Sequence, residues 1–311
     1  MSRHPLQCGD PVDVIIATRD RHDLLVKSLD CILGQTYAGR IRATVVYDKS
    51  RARLDLAMKS PTREIRVLSN RRTSGLAGAR NSGLLASDSP LVAFCDDDDQ
   101  WRPDKLERQL KHLIDEKATA CVSGIEIHYG DKRRIRIPAV QQVTLRSLSG
   151  SRLTGAHPST FLFDREHLLA EVGLVDEALP HGYGEDYDLL LRIAAAGKVT
   201  VLPEATVDVL WHPGGSYFSQ RWEAMAEGLD YLMRKHPVLL ADRRGRAWMQ
   251  GQRAFALAAL GGQPAEAVRV ARASLRHSLM EPRAYLAIAV ALGVVKPAVI
   301  VDALNARGRG I

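Results

Sequence analysis

The chain has 311 residues, 46% of them hydrophobic and 25% charged, which excludes a disordered tail and leaves ample material for a core. Its longest charge-free apolar stretch, Ala284 to Val295, is too short to span a bilayer and runs into Lys296 and Pro297. The net charge of +7 is localised: residues 1–219 carry 29 basic and 29 acidic side chains, whereas residues 220–311 carry 14 and 7.

The opening MSRHPLQCGDP has no apolar run after its basic residues, so no secretory signal is expected. Cys8, Cys31, Cys95 and Cys121 lack Cys-x-x-Cys spacing, and isolated, apolar-flanked cysteines predict reduced, buried thiols in a cytoplasmic protein. Val12–Thr18 (VDVIIAT) reads as a buried strand. Leu25, Leu29 and Ile32 follow at helical spacing, and Gly34 suits the stop. Ile41–Tyr47, Ile65–Leu68 and Leu91–Cys95 read as further strands, with a helix over Ser74 to Ser87 before the last. Pro103 suits a first helical turn ahead of the apolar stripe Leu106, Leu110, Leu113 and Ile114. This alternation predicts a parallel sheet covered on both faces, with ligands beyond the carboxyl ends of its strands. The polar residues there are Thr18, Arg19, Asp48 and Asp96 to Asp99. Residues 118–211 mix strands and loops with one strong helix, Glu185 to Ala196. From about Gln220 the chain reads as helical throughout.

Two strings carry chemistry. FCDDDDQW, residues 94–101, places four carboxylates directly after a buried strand, where they repel one another unless a cation or donor groups neutralise them. Oxygen-only ligands suit magnesium or manganese; a solvated acidic turn capping the next helix is the other reading. In GYGEDYDLLLRIAAAG, Asp186 heads the helical face of Leu189, Leu190 and Ile193, as either a buried cap or a poised base.

In order and spacing, VDVIIATRDRHDLLVKSLDCILGQTY, VVYDKS, GLAGARNSGLLAS, LVAFCDDDDQWRPDKL, HPSTFLFDREHLLAEVGLVDEAL and GEDYDLLLRIAAAGKV resemble family-2 inverting glycosyltransferases over about residues 10–215. The resemblance implies an α/β GT-A fold, a nucleotide-binding mixed sheet flanked by helices, here with a C-terminal α-helical appendage. It implies a glycosyltransferase domain over 1–219, with a nucleotide-sugar half at about 10–117, an acceptor half at 118–219, and a basic helical region over 220–311. Thr18, Arg19, Asp48, Arg80, Asp96 and Asp97 then fall on the nucleotide-sugar side. Asp98, Asp99 and His212 fall at a Mn2+ or Mg2+ ion, Asp186 is the base beside Glu185, and His157 and Trp101 face the acceptor.

The implied reaction moves a sugar from a nucleotide diphosphate sugar to the hydroxyl of a carbohydrate or glycosylated acceptor, with inversion. Tyr47-Asp48 replaces the usual pair of acids, and Ala-Thr-Arg the commoner Pro-Thr-Tyr, so uridine is not implied. A sugar-1-phosphate nucleotidyltransferase would want a glycine-rich loop after the first strand, which ATRDRHD lacks. A non-catalytic protein binding nucleic acid through the basic tail has no motif in its favour, so no nucleic-acid partner is expected. Arg243, Arg244 and Arg246, with Arg269, Arg272 and Arg276, suggest instead peripheral contact with the inner face of a membrane, or simply a solvated bundle face.

Overall fold

The computed structural model describes residues 5–211 and 221–306, which form two compact units. The first comprises residues up to Thr144, Leu153–Glu177 and Glu185–Trp211. It holds an eleven-stranded mixed sheet. Its strands are β1 (Val12–Thr18), β2 (Ile41–Tyr47), β3 (Met58–Lys59), β4 (Arg63–Ser69), β5 (Leu91–Asp96), β6 (Gln100–Trp101), β7 (Ala120–Tyr129), β8 (Lys132–Arg136), β9 (Gln142–Val143), β10 (Leu162–Asp164) and β11 (Val199–Leu210). The order is β3-β4-β2-β1-β5-β10-β7-β11-β6, with β8 paired to β7 and β9 to β11.

Strands β4, β2, β1 and β5 run parallel, in a register that pairs Thr18 with Tyr47 and Ala17 with Asp96. The carboxyl ends of β1, β2 and β5 therefore lie along one edge, where helices must enter and leave and the backbone is free to meet a ligand. Strand β10 is antiparallel to both neighbours and joins the parallel block to β7. It also carries the segment before it, Pro158–Thr160, back toward the end of β5.

Helices α1 (His22–Leu33), α2 (Leu76–Ala86), α3 (Lys105–Asp115) and α6 (Glu185–Ala196) belong to this unit, as does the single turn α5 (Arg165–His167). Helix α2 lies close against β1 because glycine allows it: a Cβ on Gly83 would stand 2.4 Å from Ile15 Cγ2. The core unites Val14 and Ile16 of β1, Val45 of β2 and Leu91 of β5 with Leu25, Leu29 and Ile32 of α1 and Leu106, Leu110 and Leu113 of α3. These are the apolar faces expected from the spacing. All four cysteines are free; Cys95 and Cys121 are buried, but Cys8 is exposed at the irregular start of the chain, against the expectation of four buried thiols.

Of the described residues, the second unit gathers Leu145–Arg152, Ala178–Gly184 and residues 221–306. It holds the short α4 (Leu145–Ser149) and helices α7 (Trp222–Lys235), α8 (Arg243–Leu260), α9 (Pro264–His277), α10 (Pro282–Ala291) and α11 (Pro297–Ala306). Proline opens α9, α10 and α11, where its missing N–H costs nothing. Ala254, Phe255, Ala267, Val270, Ala271, Ala284 and Ala287 form the core of this unit. Trp222 packs edge-on to Phe255. Among the described residues, no helix is long and apolar enough to cross a membrane.

Glu177 locks the first unit around α2. It accepts hydrogen bonds from Asn81 Nδ2 at 2.6 Å, Arg72 Nε at 2.5 Å and the Thr73 N–H at 3.2 Å. Its burial opposes the charge, but these donors hold its pKa down to about 2. A depressed carboxyl stabilises the fold fully above its unfolded pKa of about 4.3 and progressively less as pH falls toward 2. Glu177→Gln is therefore expected to cost about 2 kcal/mol at pH 7. Urea denaturation should show that gap narrowing below pH 4 or so.

Candidate active site

The four carboxylates after β5 sit in a tight turn held from three sides. Ser28 Oγ donates to Asp99 O at 2.7 Å, Thr18 Oγ1 to Asp97 Oδ2 at 2.7 Å, and Ser159 Oγ to Asp99 Oδ2 at 2.5 Å. The Asp96 N–H donates to Ser159 Oγ at 2.9 Å. Asp97 and Asp99 are only 5% and 2% exposed, so this is not a solvated acidic turn. Carboxylates so placed need counter-charge.

Three cations supply part of it. Buried Arg80, on α2, donates from Nη2 to Asp96 Oδ1 at 2.7 Å and from Nη1 to Glu185, and packs over the Phe94 ring. Arg21 Nη1 reaches Asp98 Oδ2 at 2.8 Å and Asp97 Oδ1 at 3.3 Å. His157 Nδ1 lies 3.2 Å from Asp99 Oδ2, and its Nε2 lies 3.9 Å from Asp96 Oδ2. Burial disfavours a charged His157, yet Asp99, then Asp96 and Asp186, lift its pKa to about 9.

The balance stays negative. Asp96 to Asp99, Glu185 and Asp186 set six carboxyl groups against Arg21, Arg80 and His157. Burial, then Asp99, Asp96 and Asp97, push Asp98 up to about 7 although Arg21 pulls the other way. Burial and Asp186 push Glu185 up to about 7 despite Arg80. Asp96 is held below the usual carboxylate range, its burial outweighed by Arg80 and His157. Protons thus take up the surplus that a cation would neutralise. Asp96, Asp99 and His157 bring ligand atoms within 4.8 Å of one another, and Asp98 adjoins them.

Other expected residues are placed as follows. Thr18 ends β1 with its hydroxyl on Asp97, while Arg19 is exposed beside it. Both Asp48 oxygens are engaged by the loop into α2, accepting from Asn70 Nδ2 at 2.8 Å and the Gly75 N–H at 3.0 Å. Glu185 is buried and Asp186 half-buried at the start of α6, so the deeper acid is Glu185. Asp186 acts electrostatically on Arg80, His157 and Glu185, which places it at this cluster. His212 lies outside the described residues.

One expected acceptor contact is corrected by the structure. Trp101 is 3% exposed because β6 pairs with β11, matching Trp101 to Val207 and turning its ring into the core. There Lys105 Nζ sits 3.8 Å from the ring centroid and donates to Gln109 Oε1 at 2.6 Å, its pKa pushed down to about 7 by burial. His157, expected on the acceptor side, lies against the acidic turn and within the electrostatic reach of Asp186. Arg21 was missed by sequence reasoning; its pairing spans 77 positions and leaves no local pattern.

A mixed sheet with an acidic turn at the end of a parallel strand and a carboxylate-headed helix opposite defines a GT-A glycosyltransferase fold. The chain belongs to glycosyl transferase family 2, whose model matches residues 13–169. It is 28% identical to the succinoglycan biosynthesis protein ExoO of Rhizobium meliloti over 62% of this chain, and spans 59% of the length of ExoO. It is 25% identical to WfgD of Escherichia coli, a UDP-Glc:alpha-D-GlcNAc-diphosphoundecaprenol beta-1,3-glucosyltransferase, over 61% of this chain and 72% of that one. The fold matches Staphylococcus aureus TarS 1-349 in complex with UDP-GlcNAc, with TM-score 0.62 and 15% identity over 91% of this chain and 88% of that one. It also matches the mannosyltransferase PcManGT of Pyrobaculum calidifontis in complex with GDP-Man and Mn2+, with TM-score 0.55 and 20% identity over 90% and 86%.

Arg80 holds buried Glu185 and half-buried Asp96 at once. Arg80→Met leaves both uncompensated and is expected to cost about 3–5 kcal/mol in urea denaturation. Arg80→Lys keeps the charge but cannot fork between Asp96 and Glu185, so it should recover only part of that loss.

Proposed function

We propose that this protein is a metal-dependent, inverting glycosyltransferase that moves a sugar from a nucleotide diphosphate sugar to an acceptor hydroxyl. The observation that carries this reading is the incompletely compensated acidic turn at the carboxyl end of β5, in a family-2 chain. A relative named for UDP-Glc and structural neighbours captured with UDP-GlcNAc or GDP-Man support the donor class. The neighbour containing Mn2+, and the oxygen-rich donor set here, support manganese or magnesium.

The residues fit such an ion. Asp99 is committed to Ser159 and His157 and Asp96 to Arg80, whereas Asp98 is held by Arg21, whose half-exposed side chain is the counter-ion a metal would most readily displace. Asp98 would hold the cation with Asp96, Asp99 and His157 beside it. When bound, the ion stabilises negative charge on the departing nucleoside diphosphate. Thr18, Asp48 and Asp97 shape the donor side at the ends of β1, β2 and β5. Asp186 takes the proton of the acceptor hydroxyl as that oxygen attacks the anomeric carbon. The bond to the diphosphate breaks on the opposite face, so a single displacement inverts the centre. Glu185 positions Arg80 and leaves Asp186 as the accessible base.

WfgD is named for a diphosphoundecaprenol-linked acceptor, which supports a lipid-linked saccharide as the acceptor here and action at a membrane surface.

Hydrolysis of several nucleotide sugars, followed by nucleoside diphosphate release, tests the class and identifies the donor. With the donor in hand, Asp98→Asn is expected to abolish the tightening of donor binding by Mn2+ in calorimetry. Equal affinity for donor in wild type with EDTA, wild type with Mn2+ and the variant would rule out the metal role. Asp186→Asn should keep donor affinity and lose roughly 10²–10⁴ in transfer rate. Retention of most of that rate would remove Asp186 as the base.

A further inference from the structure

The helical unit contains a cavity of about 640 Å³ that takes no part in the chemistry above. Arg243 and Arg244 in the first turn of α8, His277 at the end of α9, and Arg283 in the first turn of α10 line it, with Trp248 contributing an aromatic wall. This is more than the end of one helix: side chains from three helices converge on one concavity large enough for a small ligand.

Its charge is unbalanced. Glu281, the acid in the lining, is committed to Arg283, accepting from its Nη1 at 2.9 Å and its N–H at 3.2 Å. Asp242, which precedes α8, caps that helix by accepting from the Gly245 N–H at 2.8 Å. Arg243 Nη2 reaches the Arg276 carbonyl at 3.3 Å, and Arg244 feels Asp242, which its backbone N–H also helps to hold, so one capping acid is set against both arginines. His277 is kept below its ordinary pKa by burial and by Arg246, Arg243 and Arg276, as expected of a group in a positive field.

Met280 of the lining belongs to an exposed apolar connection beside the cavity. Leu279 is 72% and Met280 88% exposed on the short connection between α9 and α10, and Tyr285 is 50% exposed. Tyr285 OH donates to the Leu279 carbonyl at 2.9 Å and ties that connection to α10. Large apolar side chains held out beside a basic pocket suit a ligand that is anionic at one end and greasy at the other.

We propose that this pocket takes the phosphate headgroup of an anionic membrane lipid, with Leu279 and Met280 entering the interfacial layer around it. Arg243 and Arg244 bind the phosphate oxygens through charge-assisted hydrogen bonds. The proposal deepens the glycosyltransferase reading, on which it rests for the idea that the acceptor is presented at a membrane.

Co-sedimentation of the full chain with vesicles tests it. Binding is expected to mixed phosphatidylglycerol–phosphatidylcholine vesicles and not to phosphatidylcholine alone, weakening with salt. The double variant Arg243→Gln/Arg244→Gln should lose about thirtyfold in partitioning. Leu279→Ser/Met280→Ser should weaken binding without changing its salt dependence. Equal binding to both vesicle types, or an arginine variant that partitions like wild type, overturns the proposal. Tight binding of glycerol 3-phosphate that is not improved by the vesicle also overturns it, in favour of a soluble phosphate site. Nucleotide-sugar hydrolysis in vesicle-free solution should be unchanged in both variants. Its absence in wild type would sink the glycosyltransferase reading while leaving the lipid measurement intact.

Discussion

Buried Arg80 is the residue on which the acidic site depends. Fixed in α2 and packed over Phe94, it donates to Asp96 after β5 and to Glu185 at the head of α6. Two carboxylates far apart in sequence can share a buried volume because one planar fork satisfies both. The carboxylates around that pair are then incompletely compensated. That residual negative charge is what makes the turn suitable for a cation rather than a passive structural knot.

The strand order explains why these groups meet. Parallel β1, β2 and β5 bring Thr18, Asp48 and Asp96 to one edge, as expected for any sheet of this kind. The antiparallel insertion of β10 beside β5 is less common, and it delivers Ser159 and His157 to the acidic turn. Ser159 accepts from the Asp96 N–H and donates to Asp99, so one hydroxyl sets the spacing of two acids. Close passage of α2 over β1, permitted at Gly83, places Arg80 within reach.

Much of this was legible in the sequence, and the misses have physical reasons. The strands Val12–Thr18 and Ile41–Tyr47 are mostly apolar and buried along nearly their whole length because both faces are covered, and the stripes of α1 and α3 are the helical counterpart. The acidic run announced itself through repulsion that only a special environment tolerates. Trp101 misled because orientation along a two-residue strand depends on its partner: pairing with Val207 of β11 sends the ring inward. The placement of His157 depends on the insertion of β10, which no local pattern reports. Asp186 was read as facing inward from helical periodicity alone, whereas the start of the helix leaves it half-buried and sends Glu185 deeper. Residues 145–152 and 178–184 join the helical unit through tertiary contacts such as Ser149 Oγ to Asp242 Oδ2 at 3.3 Å.

The segregation of charge along the chain follows from the same electrostatics. In a turn suited to a divalent ion, mobile arginines nearby would compete as counter-ions, as Arg21 does for Asp98. In the sheet unit the other arginines near acids are tied into defined pairs, such as Arg42 with Glu64 and Arg102 with Asp208. The surplus of basic residues lies in the C-terminal segment, which contains no comparable acidic run. There Arg243 and Arg244 sit at the start of a helix, where the backbone dipole favours an anion and gives them no compensation. Cations placed against that preference raise the local positive potential, so an external anion gains from the side chains and the helix end together.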